Sequence, residues 1–240
     1  MKFKYCALLL ILTLLSCFKS QEQQMLDREK AQEMMKEADL LFSRSKYNEA
    51  LDLYLKTSKL DYEEPLLIYK IAFCYDKGPK DYQKAAKYYE KALKSLNVQN
   101  NLKYMAAAYF NLGVIAGKMD EQDQKLSYFS TAFSLLQKME TIGRLDAEDY
   151  FRIGYIYWDK KEYTPAQKYF LTSIRLFKKT NPTHFYHAGA YYNIGLIYWV
   201  KEDYNTTLWY WKRALKLEPD NEFYKEWIKK AAKFRNASST

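Results

Sequence analysis

The chain has 240 residues, of which 48% are apolar and 18% aromatic, so it can build a packed core and is not intrinsically disordered. Seven Gly and five Pro are few for this length, which favours long helices over a turn-rich all-β fold. The formal charge is +9, but the lysines are spread among 29 acidic residues, which is typical of a solvated helical surface and gives no reason to predict a nucleic-acid partner.

The N-terminus has the layout of an export signal. Lys2 and Lys4 precede an apolar stretch, residues 5–15, that is too short to span a bilayer as a stable helix. The sequence Leu-Leu-Ser-Cys at residues 14–17 follows directly and resembles a bacterial lipobox.

The lipobox resemblance implies a bacterial lipoprotein. Residues 1–16 would be a signal peptide that is removed, Cys17 would carry the lipid, including an acyl chain such as palmitate, and residues 17–24 would be a lipidated tether. The protein would then be lipid-anchored to a bacterial membrane and face the periplasm; the resemblance does not distinguish the inner membrane, the outer membrane and the cell surface. Because the Cys17 thiol would be blocked by the lipid, Cys74 would have no intramolecular disulfide partner. No disulfide framework is therefore expected.

An internal repeat runs through the rest of the chain. Gly113, Gly154 and Gly195 lie 41 residues apart, each preceded by an aliphatic residue and by Tyr four positions earlier. Ala38 and Ala72 take the same place in two earlier stretches. The sequence therefore contains five units.

The units resemble the tetratricopeptide repeat over about residues 30–220. The last unit has Tyr191-x2-Ile194-Gly195-x2-Tyr198, followed by small and aromatic residues at the places that the repeat requires. The third unit departs from the pattern because Lys125 stands where a small residue of the second helix belongs.

The resemblance implies an all-α fold: a right-handed superhelical solenoid of five helix pairs over residues 25–235, ending in a capping helix at residues 221–234. Residues 236–240 would be a disordered tail. The long period places lengthened helices around short turns near residues 97–101, 141–146 and 180–183.

In tetratricopeptide arrays the first helix of each pair lines a concave groove, and this predicts the partner-binding residues. The expected aromatic floor comprises Phe151, Tyr155, Trp158, Tyr192 and Trp199, and the expected column of hydrogen-bond donors comprises Lys36, Lys70, Asn111, Arg152 and Asn193. Such a groove suits a peptide, because rings bury area and donors satisfy backbone carbonyls. Alternatively, the aromatics pack within the superhelix or against the cap.

No catalytic motif is evident, so we expect a non-enzymatic protein without cofactor or metal. His184 and His187 are three residues apart, but a turn and helix-start role is favoured over metal binding. The leading hypothesis is a membrane-anchored scaffold that binds a protein or peptide in the bacterial cell envelope, in envelope-complex assembly. The alternative is a small-ligand-binding accessory lipoprotein of a solute uptake system. The oligomeric state stays open.

Overall fold

The computed structural model describes the backbone of residues 2–60, 64, 66–96 and 98–237, and the side chains of these ranges from residue 21 onward except residues 98–100. This part of the chain is all-helical, which confirms the predicted fold class of an α-helical repeat. The helices are α1 (Lys2–Ser43), α2 (Tyr47–Thr57), α3 (Leu67–Lys77), α4 (Tyr82–Ser95), α5 (Val98–Lys118), α6 (Gln122–Thr141), α7 (Ala147–Asp159), α8 (Tyr163–Thr180), α9 (Phe185–Val200), α10 (Tyr204–Leu217) and α11 (Glu222–Ala237).

Helix α1 begins far before Met25, where the first helix of the repeats is expected to start. It includes residues 17–24, which the sequence assigns to a tether. The segment from Lys2 to Ser43 contains neither Gly nor Pro, so nothing in it interrupts helical hydrogen bonding. The Cys17 side chain lies outside the described side chains. Within the described part of the chain, no helix combines the length and apolar content that crossing a bilayer needs.

Two of the three predicted inter-pair turns are confirmed. Helix α6 ends at Thr141 and α7 begins at Ala147, and α8 ends at Thr180 before α9 begins at Phe185. At the first predicted turn, α5 already begins at Val98, but residue 101, an Asn, has a non-helical backbone (φ −128°, ψ 22°). The extra length of the repeat therefore lies between the helix pairs, as its spacing predicts.

The described contacts divide the chain into two compact units: residues 1–100 with 114–122, and residues 101–113 with 123–240. In the first unit, α1 to α4 pack as consecutive helices around a core that includes Ala38, Ala50, Tyr54 and Ile71. Cys74 is a free, buried thiol of this core.

In the second unit, close approach of paired helices depends on the repeated glycines. Gly154 of α7 faces Phe170 of α8, and a Cβ built at Gly154 would lie 2.9 Å from that ring. Gly195 of α9 lies against Trp211 of α10 in the same way. The glycines thus leave the space that a buried ring fills.

Each turn inside a helix pair contains one residue in the left-handed region that is not glycine. These residues have φ between 57° and 63°, and they are Ser45, Lys80, Asp120, Lys161 and Glu202. The same sharp turn therefore recurs in all five pairs, although L-residues with a Cβ disfavour this conformation.

Helix α11 closes the second unit, as predicted. Its buried residues are Tyr224 and Ala231, and Ala231 packs in one cluster with Leu208 and Trp211 of α10. Most of the outward face of α11 is polar, which is the property of a helix that ends a repeat array.

Candidate functional site

The predicted donor column does not form one continuous row of available donors. Lys36 is exposed. Lys70 forms an ion pair with Asp39 at 2.8 Å and lies over the ring of Tyr54. The side chain of Asn111 is buried, with 2% exposure.

Arg152 lies in a buried charge cluster at the start of α7. Its guanidinium donates to Asp149 and Glu148, both at 2.8 Å, and lies 5.5 Å from the ring centroid of Tyr186. Burial raises the pKa of the Asp149 carboxyl above its ordinary value, against the attraction of Arg152. With 1% exposure, Arg152 serves the packing of α7 in this structure rather than presenting donors to a partner.

The aromatic floor of the fourth pair is continuous. Phe151 is buried and stacks on Tyr186, with ring centroids 4.4 Å apart. Tyr155 meets Phe110 edge-on at 5.4 Å and lies 5.5 Å from Trp158. Tyr155 and Trp158 are partly exposed, so this end of the floor is open to a ligand.

Two polar groups near this floor have unmet hydrogen-bonding capacity within the described chain. The indole Nε1 of Trp158 is buried and meets no acceptor. The Asn193 side chain is 7% exposed, and its amide makes no hydrogen bond to a described residue. Because buried polar groups are normally paired, these two groups are candidates for contact with a bound ligand, which reaches the Trp158 N–H only when the side chains that cover it move.

The packing of α8 fixes the relative direction of α7 and α9. Ser173 of α8 donates to the Ala147 carbonyl at 2.7 Å, and Phe177 of α8 stacks on His187 at 5.9 Å. Both α7 and α9 therefore begin beside the end of α8. Each runs antiparallel to α8, so α7 and α9 are parallel to each other.

This parallel arrangement brings the open groups together. Phe151 of α7 lies beside Gly189 of α9, where an added Cβ would be 3.4 Å from the ring. One helical turn further along, the residues are Tyr155 on α7 and Asn193 on α9, and Trp158 follows on α7. We call Tyr155, Trp158 and Asn193 the aromatic–amide site.

The last pair has no such open floor, because α11 covers it. Tyr192 stacks on Trp211 at 5.5 Å and on Tyr224 at 5.3 Å. Trp199 meets Trp227 at 6.0 Å. Packing against the cap, the alternative that the sequence left open, therefore describes Tyr192 and Trp199.

Two interactions explain residues that the sequence left unassigned or weakly assigned. Lys125 of α6 forms an ion pair with Asp159 of α7 at 3.1 Å, with both side chains mostly buried. His184 is the N-cap of α9, since its Nδ1 accepts from the backbone N–H of Tyr186, and this confirms its helix-start role. Among the described side chains, no group of three or more His, Cys, Asp or Glu is placed to hold a metal ion.

Two of the five helix pairs match the tetratricopeptide repeat. The sequence profile of the tetratricopeptide repeat matches residues 147–180 and 188–221, which correspond to the fourth and fifth helix pairs. No curated protein matches the chain significantly.

Solved structures share the fold. A thermophilic tetratricopeptide protein from Thermus thermophilus is 16% identical, with a TM-score of 0.62 over 84% of this chain and 98% of that one. A Rap protein complexed with Competence and Sporulation Factor is 16% identical, with a TM-score of 0.62 over 81% and 56% of the two chains. The apo quorum sensor NprR from B. thuringiensis is 17% identical, with a TM-score of 0.57 over 87% and 59%. At these identities the likeness concerns the fold.

Proposed function

We propose that the protein is a membrane-anchored, non-enzymatic scaffold that binds a protein or peptide partner in the bacterial cell envelope. The observation that carries the binding part is the aromatic–amide site, where partly exposed rings lie beside an indole N–H and an amide that the described chain does not satisfy. A protein of similar fold, the Rap protein, has been solved in complex with Competence and Sporulation Factor, which supports this mode of action.

The chemistry of the site favours an extended or helical peptide segment. Tyr155 and Trp158 supply flat apolar surface at little conformational cost, and Asn193 both donates and accepts. Backbone carbonyls of a peptide are the acceptors that the Trp158 N–H and the Asn193 amide lack. Anchoring would come from the lipobox-like sequence ending at Cys17, and the few residues between Cys17 and the repeats, which belong to α1, would keep the partner close to the bilayer.

The test of binding is in-cell crosslinking with a photoreactive residue at Asn193, followed by mass spectrometry. The control carries the same residue at Leu171, which is 44% exposed and lies on α8, a helix that contributes no residue to the aromatic–amide site. Capture of one envelope protein or peptide from position 193 and not from position 171 is expected. Equal capture from both positions would contradict a specific site.

A second variant tests the hydrogen bond itself. Trp158→Phe keeps an aromatic ring but removes the N–H, so it should lower the yield of the crosslink from position 193 several-fold while the fold is retained. An unchanged yield would show that the indole N–H does not contact the partner. Capture of a small metabolite in place of a protein would support a ligand-binding accessory lipoprotein.

Anchoring is tested separately. Labelling of cells with a palmitate analogue should mark the wild-type protein and not Cys17→Ser, and the variant should leave the membrane fraction. Cys74→Ser is the matched control, because that thiol is buried and should not affect labelling. A Cys17→Ser protein that remains membrane-bound and labelled would contradict the lipoprotein assignment.

A further inference from the structure

A cavity of about 580 Å³ lies between α8, α9 and α10, on residues that the aromatic–amide site does not use. Four of its lining residues are cationic, and no lining residue is acidic. The lining residues include Lys178, Lys212, Arg213, Lys216, His187 and Tyr191. We call this the basic cavity.

The four cations have no counter-charge in the described chain. Lys178, Lys212, Arg213 and Lys216 form no ion pair with a described carboxylate. Arg213 lies over the ring of Trp209 with its guanidinium carbon 3.3 Å from the ring centroid. Four like charges around one concavity raise the local positive potential, and an anion bound there would offset their repulsion.

Repeat packing does not require these cations. The residues 41 positions earlier, in the same places of the preceding unit, are Gln137 for Lys178, Leu171 for Lys212, Thr172 for Arg213 and Arg175 for Lys216. Only the last of these positions is basic in both units. The charge cluster is therefore a property of this cavity and not of the repeat.

His187, one of the lining residues, has a ring nitrogen that solvent does not reach. The residue is 2% exposed, and its Nδ1 lies 2.7 Å from the Pro182 carbonyl oxygen. Because a carbonyl only accepts, Nδ1 carries the proton of this hydrogen bond. The other ring nitrogen, Nε2, is buried and has no partner within the described chain. An unpaired buried nitrogen of this kind is unusual in a folded protein.

We propose that the basic cavity binds a phosphate monoester or inorganic phosphate. HPO₄²⁻, or a monoester as its monoanion, carries negative oxygens for the cations and one O–H that can donate to His187 Nε2 once the ligand displaces the side chains that cover this nitrogen. The hydroxyl of Tyr191 can donate one further hydrogen bond. No bond is made or broken in this step, and the proton lies between Nε2 and one phosphate oxygen.

The first test is calorimetric titration of the purified full-length chain with inorganic phosphate and with glycerol 3-phosphate at constant ionic strength. Sulfate is the comparison anion, because it has the same shape but carries no proton at neutral pH. Phosphate should bind at least tenfold more tightly than sulfate. Measurable and equal affinity for the two anions would overturn the assignment to phosphate.

Variants locate the site. Lys212→Gln with Lys216→Gln should weaken phosphate binding at least tenfold. Lys229→Gln with Lys233→Gln on the exposed face of α11 makes the same change in net charge and should leave the affinity within twofold. His187→Phe keeps a ring against Phe177 and should remove the preference for phosphate over sulfate. Equal weakening by both lysine pairs would show a non-specific charge effect and would overturn the proposal.

The source of the phosphate group is resolved by vesicle binding. Vesicles of phosphatidylcholine with 20% phosphatidic acid present a membrane-bound monoester, and pure phosphatidylcholine vesicles do not. Binding to the first vesicles that needs Lys212 and Lys216, without saturable binding of soluble phosphate, would assign the cavity to a lipid headgroup. Saturable binding of soluble phosphate would assign it to a free phosphate compound. If the wild-type chain shows neither interaction, the proposal is overturned.

Discussion

The indole N–H of Trp211 donates to the backbone carbonyl of Tyr192 at 3.0 Å, and the same ring lies against the Cα of Gly195 one turn further along α9. Trp211 is fully buried, so its ring has no room to move away from an added side chain. One glycine therefore determines how closely α9 and α10 approach each other.

Gly195→Ala should destabilise the protein. The new Cβ would overlap the Trp211 ring, and we expect a net loss of about 2 kcal/mol, since overpacking a core typically costs about 1–3 kcal/mol. Gly189→Ala in the same helix is the control, because its Cβ would meet Phe151 at 3.4 Å, an ordinary contact. That variant should be neutral or gain up to about 1 kcal/mol from helix propensity. Urea unfolding followed by circular dichroism measures both, and equal effects would contradict the packing argument.

The ion pair between Lys125 and Asp159 gives a second prediction. Lys125→Ala restores the small residue that the repeat pattern expects, but it leaves Asp159 mostly buried without its partner. We therefore expect Lys125→Ala to be less stable than the wild type, and a double-mutant cycle with Asp159→Ala to give a coupling of about 1 kcal/mol. A coupling near zero would mean that the pair contributes nothing to stability.

Lys125 also shows why the sequence predicts some features and not others. Helix pairs, inter-pair turns and the cap follow from the spacing of small and aromatic residues, because those features depend on local backbone and packing rules. The partner of Lys125 lies 34 residues away, and no local pattern identifies it. Likewise, the position of Arg152 in its repeat predicts a donor facing the groove, whereas its burial depends on Asp149, Glu148 and Tyr186 together.

The predicted groove residues fall into an open group and a covered group for a similar reason. Repeat position predicts one aromatic column, but whether a ring is open depends on the next helix in the array. Trp158 retains an unmet N–H, whereas Tyr192 and Trp199 are covered by α11. The basic cavity was not predicted, although Lys212 and Lys216 stand one helical turn apart and give a sequence signal that could have indicated it.

The left-handed residue in each intra-pair turn gives a third prediction. Lys161 has φ 62°, where a Cβ is disfavoured, so Lys161→Gly should stabilise the protein by about 1 kcal/mol. Lys161→Ala is the control, since it removes the charge and the long side chain but keeps the Cβ, and it should leave stability unchanged. Thermal unfolding measures both variants. Equal stabilisation by Ala and Gly would show that removal of the lysine charge, and not the backbone conformation, causes the effect.

The N-cap of α10 gives a pH-dependent prediction. Asp203 accepts a hydrogen bond from the backbone N–H of Thr206 at 3.0 Å. Hydrogen bonds from the Thr206 side chain and backbone hold the pKa of Asp203 below its ordinary value of 3.8. Because the folded state lowers this pKa, the contribution of Asp203 to stability is present above about pH 4 and is lost as the pH falls through the folded pKa.

Asp203→Ala should therefore lower the free energy of unfolding by about 1 kcal/mol at pH 7. The difference in this free energy between the variant and the wild type should shrink as the pH falls from about 4 toward 2. Asp203→Asn separates the charge from the cap, because Asn accepts the same hydrogen bond but does not titrate, so it should stay close to the wild type at pH 7. Urea unfolding at a series of pH values measures the difference for each variant. A difference between wild type and Asp203→Ala that is constant over the whole range would mean that the ionised carboxylate does not cap α10.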